Sequence, residues 1–171
     1  QCAFSPDGKR LYAAAGYSGN GSRYVLEYNV QADASGAMTG IQPTGKIFKF
    51  STTVFSLACG KVNGKYLLIG TDTNGMLGMI APDDFKADGN GFVSSTAQAR
   101  YEKIGKFTGM CVTGAEDGTP RLIGSVANGQ FSVYDIKPDG SGLVSTTPIV
   151  TYDHYLTFDN TGMDAFACTS D

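Results

Sequence analysis

The feature that most constrains this chain is a set of landmarks that recur in one order about every 54 residues. Four cysteines, Cys2, Cys59, Cys111 and Cys168, are spaced by 57, 52 and 57 residues, each in a short apolar run: "QCAF", "FSLAC", "GMCV" and "AFAC". A turn pair follows the first three runs: Asp7-Gly8, Asn63-Gly64 and Asp117-Gly118. A second apolar run then ends on Gly16, Gly70 and Gly124, and a second turn pair comes next at Asn20-Gly21, Asn74-Gly75 and Asn128-Gly129. A third run ("RYVLEYNV", "MLGMI", "FSVYDI"), a polar Gly-bearing loop ("QADASG", "KADGNG", "KPDGSG") and a fourth run ("GKIFKF", "EKIGKF", "PIVTYDHY") complete each unit. A chain built this way stacks copies of one supersecondary unit, because no single unit can bury its apolar surface alone.

The unit reads as four short strands joined by tight turns. Asn-Gly and Asp-Gly suit two-residue hairpins, in which both central residues take positive φ. "FSVYDI" alternates, with Phe131, Val133 and Asp135 on one side and Ser132, Tyr134 and Ile136 on the other. With 23 glycines, 42% apolar and 17% charged residues, the composition suits an all-β chain with many turns, and no helix is expected. Four antiparallel strands at this period predict a β-propeller. The expected architecture is about three four-stranded antiparallel blades, at 1–50, 51–107 and 108–156, with one extra strand opening a further blade at 157–171. The first strand of each blade should line the channel. The fourth should form the rim, where Lys46, Lys49, Lys103 and Lys106 would protect an exposed edge.

"FSPDGKRLYAA" followed by "YVLEYNVQADASG" resembles the YVTN and lactonase-like propellers, and "FSVYDIKPDGSG" (Phe131 to Gly142) fits the same template. The middle unit departs from it, with "GKVNGKYLLIG" in place of Ser-Pro-Asp-Gly. The resemblance implies a propeller blade. Function is not implied, since such blades occur in lactonases, redox enzymes, surface proteins and assembly proteins. WD40 repeats fit less well, because the chain has no Trp and so no Trp-Asp pair.

A net charge of −3 lacks the clustered cations that nucleic acid or anionic membranes require. No apolar run approaches the roughly 18 residues of a membrane span. The cysteines lie too far apart for close-paired metal ligation. They are expected as small apolar side chains packed between blades at equivalent inner-strand positions, reduced because inner strands splay apart around the channel; disulfides are the alternative. His154, the single histidine, falls at the end of a rim strand, so no channel-facing His carries the lactonase-type chemistry. The acidic loops at Asp33 to Gly36, Asp83-Asp84 to Gly91 and Asp139 to Gly142 lack calcium-loop spacing and read as Asx-turns.

No catalytic residue, cofactor or metal ligand is therefore assigned, and the compartment is left open. The leading reading is a non-catalytic propeller, a binding or assembly module within a larger protein or complex. The alternative is part of a lactonase-like hydrolase whose active-site residues lie in missing blades. Three units and one strand make an arc with two bare blade faces. Further blades of the same polypeptide, or partner protein chains, are expected to cover them, with Phe4 and Phe166 near the covered surfaces.

Overall fold

The computed structural model describes residues 1–15, 23–50, 53–72, 74–84, 92–93, 99–101, 104–105, 107–114, 117–126 and 130–153. Three antiparallel sheets follow one another along the chain. The first contains β1 (Cys2–Phe4), β2 (Arg10–Ala15), β3 (Tyr24–Ala32) and β4 (Met38–Lys49). The second contains β5 (Ser56–Val62), β6 (Lys65–Thr71) and β7 (Leu77–Ile80). The chain then makes a 3-10 turn at Pro82–Asp84, lends β8 (Phe92–Val93) to the first sheet, and returns as β9 (Ala99–Tyr101). The third holds β10 (Phe107–Gly114), β11 (Pro120–Val126), β12 (Gln130–Asp135) and β13 (Val150–Asp153). Within each sheet the four strands run up and down in chain order.

Two elements differ from the sequence reading. Phe107 does not close the second unit; it opens β10, paired with Val126. The fourth strand of that unit is instead β9, paired with β7. Nor is β4 an exposed edge, because β8 pairs with it in parallel at Ile47 and Phe48. Lys46 accordingly turns inward to Glu27 at 3.9 Å. Lys103 and Lys106 lie outside the described residues.

The sheets stack face to face. Tyr12, Val25, Phe48 and Phe50 from the first sheet close over Leu57, Leu68 and Ile80 of the second. The opposite side of the second sheet, with Ala58, Leu67, Ile69 and Met79, closes over Leu122 and Tyr134 of the third. Each fully buried Leu or Ile stabilises this stack by about 1.5–3 kcal/mol. The first strands are also neighbours: β5 contacts β1 on one side and β10 on the other. Successive four-stranded sheets, packed face to face with their first strands adjacent, form an arc of a β-propeller.

Two of the repeated glycines have a packing reason. A Cβ on Gly70 would stand 2.9 Å from the Phe50 ring, and one on Gly124 would stand 2.5 Å from the Phe107 ring. Phe50 ends the link from the first unit and lies over the glycine of the second, whereas Phe107, at the start of β10, lies over the glycine of its own sheet. In both places a phenylalanine at the unit boundary packs over the repeated glycine, once between sheets and once within one.

Among the described turn pairs, only Asn63-Gly64 forms the two-residue hairpin with two positive φ values, 49° and 77°, between the paired Val62 and Lys65. Gly8, Gly75 and Gly118 have positive φ, but Asn63 is the one described non-glycine residue that does. Asn74-Gly75 sits in a longer loop whose backbone N–H groups at Asn74 and Met76 donate to the buried Asp72 carboxylate, both at 2.8 Å. The side-chain acceptor replaces the second left-handed residue.

Gly124→Ala is expected to destabilise the chain by about 1–3 kcal/mol, because the Phe107 ring must move from its socket. Gly114→Ala, with open space around it, should leave the denaturation midpoint within about 0.5 kcal/mol of the parent. Equal midpoints for the two variants would refute the packing role of Phe107 on Gly124.

Candidate functional site

The densest cluster of ionised side chains lies across the seam between the first and second sheets. Arg10 opens β2 on the side facing the second sheet. Its guanidinium donates to Glu27 at 3.3 Å and to Asp83 at 2.6 Å, and it lies 4.9 Å from the centre of the Tyr66 ring. Glu27 sits on β3 in phase with the core residue Val25 and is 3% exposed. A buried carboxylate without a cation would be costly, and Arg10, with Lys46 further off, supplies the charge. Asp83 comes from the 3-10 turn of the second unit, and Tyr66 from β6, so Arg10 joins two sheets.

A second bond runs the other way across the seam. The Tyr66 hydroxyl donates to Asp7 at 2.6 Å. Asp7 also accepts from the Ser5 hydroxyl at 2.7 Å and the Lys9 N–H at 3.1 Å. Led by the Tyr66 bond, these donors draw the Asp7 carboxyl from 3.8 down to about 2. The same bond raises the Tyr66 phenol. Cys59 lies beneath the seam, and burial pushes its thiol up to about 12, which makes it a poor nucleophile at neutral pH.

The next seam is more open. A cleft of about 190 Å³ lies between the second sheet and the loop after β12. Val62 and Leu67 form its apolar wall, while Lys65, Asp84 and Asp139 add charge. Lys65 is engaged with Asp84 of its own unit at 2.6 Å. Asp139 holds an Asx-turn by accepting from the Ser141 N–H at 2.9 Å, and Asp33 does the same for Ser35 at 2.9 Å and Ala37 at 3.0 Å. Asp83 and Asp84 both enter ion pairs, and the rest of their loop, 85–91, lies outside the described residues. Among the described residues no group of three or more His, Cys, Asp or Glu could hold a metal ion.

The cysteines are not level with one another. Cys59 pairs with Leu68, two residues before Gly70, whereas Cys111 pairs with Ile123, one residue before Gly124. Measured from the glycines, the two side chains stand on opposite faces. Cys2 pairs with Ala13, three residues before Gly16. The hairpin loops set these offsets: Asn63-Gly64 is all that separates Val62 from Lys65, while a longer loop separates Gly114 from Pro120. Nor are all four reduced. Cys2 and Cys59 are free thiols, whereas Cys111 is disulfide-bonded. Gly16, Asn20, Asn128, His154 and Cys168 lie outside the described residues.

From sequence Tyr66 reads as one more core aromatic, and neither Arg10 nor Glu27 stands out. One signal was available: in "YVLEYNV", Glu27 falls in step with Val25, and a carboxylate in the core phase of a strand needs a cation facing it.

No protein-family model matches the chain, and no curated protein matches it. Among solved structures the chain is similar to the WD40 repeats of RRP9, at 15% identity and a TM-score of 0.48, covering 96% of this chain and 40% of that one. U3-55K gives the same identity, TM-score and coverage. The chain thus spans 40% of the length of each. The propeller arrangement rests on the sheet order and packing described above.

The depressed Asp7 pKa fixes a pH dependence. The carboxylate contributes stability that is present above about 4 and lost as pH falls towards about 2, because the unfolded chain binds the proton first. In Tyr66→Phe the Asp7 midpoint should rise towards 3.8 and that contribution should shrink, as read by NMR titration of the carboxyl carbon. An unmoved midpoint would show that the Tyr66 bond does not hold Asp7.

Proposed function

We propose that this chain is a non-catalytic segment of a β-propeller that serves as a binding or assembly module, joined by further blades of its polypeptide or by partner protein chains. The observation that carries this reading is the engagement of the seam's charged groups. Arg10 is bonded to Glu27 of its own sheet and to Asp83 across the joint, and Tyr66 to Asp7 across the same joint. They hold blades together and leave no base poised beside a nucleophile among them.

Exposed apolar side chains support the binding role. Phe4, Met38, Ile41, Val144, Ile149 and Tyr152 are each about half exposed or more. Exposed apolar surface of this extent marks interaction surfaces when it is contiguous. Within this reading the units are of the YVTN or lactonase-like type, as the Ser-Pro-Asp-Gly stretch and Phe131 to Gly142 suggest. Gly70 and Gly124 are then the repeat positions with a structural reason, and the blades follow at about 1–50, 51–106 and 107–156, Phe107 opening the third.

The test separates joint from catalyst. Arg10→Met should destabilise by about 2–4 kcal/mol, because Glu27 stays buried with only Lys46 near it, and adding Glu27→Gln should recover part of that loss. Lactone hydrolysis by the parent chain should not exceed the buffer rate. Saturable turnover abolished by Arg10→Met would replace this reading with the hydrolase.

A further inference from the structure

The two seams can be compared place by place. In the first, the cation comes from the first residue of a second strand, Arg10 of β2. The carboxylate comes from the turn after the third strand of the next sheet, Asp83 after β7. Both places exist in the second seam. Lys65 is the first residue of β6, and Asp139 lies in the loop after β12. Lys65 stands opposite Val62 and in step with Leu67, on the face turned to the third sheet. It does not cross the seam, however, but pairs with Asp84 of its own unit at 2.6 Å. Among the described residues no cation lies within 4 Å of Asp139. Where the Arg10 side chain fills the first seam, the second holds the cleft of about 190 Å³.

That cleft is preformed. Val62, Leu67 and Ala81 are buried members of the second sheet and its flank. The opposite wall is a closed turn, in which the Lys137 N–H donates to Gly142 and the Gly140 N–H to Lys137, both at 2.8 Å. The ends of this loop, Ile136 and Leu143, bridge each other and are buried. The Leu143 N–H also donates to the Tyr101 hydroxyl of β9 at 2.6 Å. The Ser141 N–H, with a smaller contribution from Lys137, holds the Asp139 carboxyl below its ordinary range, so it is charged at neutral pH. A wall that needs no ordering loses little entropy on binding.

We propose that this cleft binds an arginine side chain presented by a partner protein, with its methylene stem on Val62 and Leu67 and its guanidinium at Asp139 and Asp84. The inference rests on reading the chain as a binding module and names what that module recognises. A long apolar stem with a cationic head matches an apolar wall with an acidic rim. A guanidinium stays charged and offers a fork of donors to carboxylates. An anion would meet two carboxylates and a lysine that is already engaged. A wholly apolar side chain would strip water from Asp139 and replace none of its hydrogen bonds. The chain's own first seam uses the same pairing, a guanidinium on the carboxylate of the turn after a third strand.

NMR of the whole 15N-labelled chain, titrated with acetyl-Gly-Arg-Gly-amide, tests the proposal. The peptide is taken to about 20 mM, because one side chain at a partly exposed site binds weakly. The expected result is saturable shifts of the Lys65, Leu67, Gly140 and Ser141 amides. The same peptide with citrulline, which keeps the shape of arginine without its charge, should bind at least about fivefold more weakly. Asp139→Asn keeps an acceptor for the Asx-turn and removes the charge. Its melting temperature should match the parent, and its affinity for the arginine peptide should fall at least about fivefold. Lys65→Gln removes the cation paired with Asp84 and should tighten binding. No saturable shift would overturn the proposal. So would equal binding of the citrulline peptide, or affinity unchanged in Asp139→Asn. Lactone hydrolysis, measured separately, decides the functional reading. A chain that neither turns over lactone nor binds the arginine peptide keeps that reading and loses only this site.

Discussion

Everything in this molecule depends on the close stacking of one sheet on the next. A four-stranded sheet of this size cannot bury both apolar faces within itself, and its neighbours supply the cover. The distance between the first two sheets is set where the Phe50 ring of one lies over Gly70 of the other, and within the third sheet the Phe107 ring lies over Gly124 at the face turned to the second. Without a Cβ beneath them the rings come down to backbone level, and the larger side chains around them, such as Tyr12 and Phe48, interlock at a tilted 6.1 Å between centroids. Protein interiors have little free volume, so one close approach fixes the position of many other contacts.

The polar seam follows from that stacking. Once the first two sheets are in contact, Glu27 is carried into the interface with Val25, and its charge must be matched there. Arg10 matches it and reaches across to Asp83, while Tyr66 bonds to Asp7 in the opposite direction. Two bonds of opposite polarity across one joint resist sliding in a way that apolar packing, which is not directional, cannot. The second seam is braced by neutral bonds instead: the Tyr101 hydroxyl of β9 accepts from the Leu143 N–H at 2.6 Å, while Lys65 turns to Asp84 in its own unit and a cleft remains. The two seams therefore differ in kind, although the backbone repeat is the same.

Much of the fold was legible in the sequence, because hydrophobic period and turn chemistry are local. The four runs of the first and third units correspond to β1–β4 and β10–β13, and Asn63-Gly64 forms the turn its residues prefer. Where the reading erred, a non-local partner intervened. Phe107 looked like the end of a strand by analogy with Phe50, yet its pairing with Val126 places it at the start of the next sheet. Lys46 looked like an edge lysine until β8 covered the edge and Glu27 drew it inward. The cysteines looked equivalent because their spacings are similar, but a loop longer in one hairpin than in another moves a side chain to the other face. Period 2 leaves no tolerance for such a shift.

The sequence by itself determined the repeat, the strand content and the turns, since each is written in residues close together in the chain. It also determined that the repeated glycines matter, though not why. Tertiary structure alone decided which face of each strand is covered and which cation meets Glu27. Those outcomes depend on residues tens of positions apart, and their pairing is set by sheet stacking and loop length.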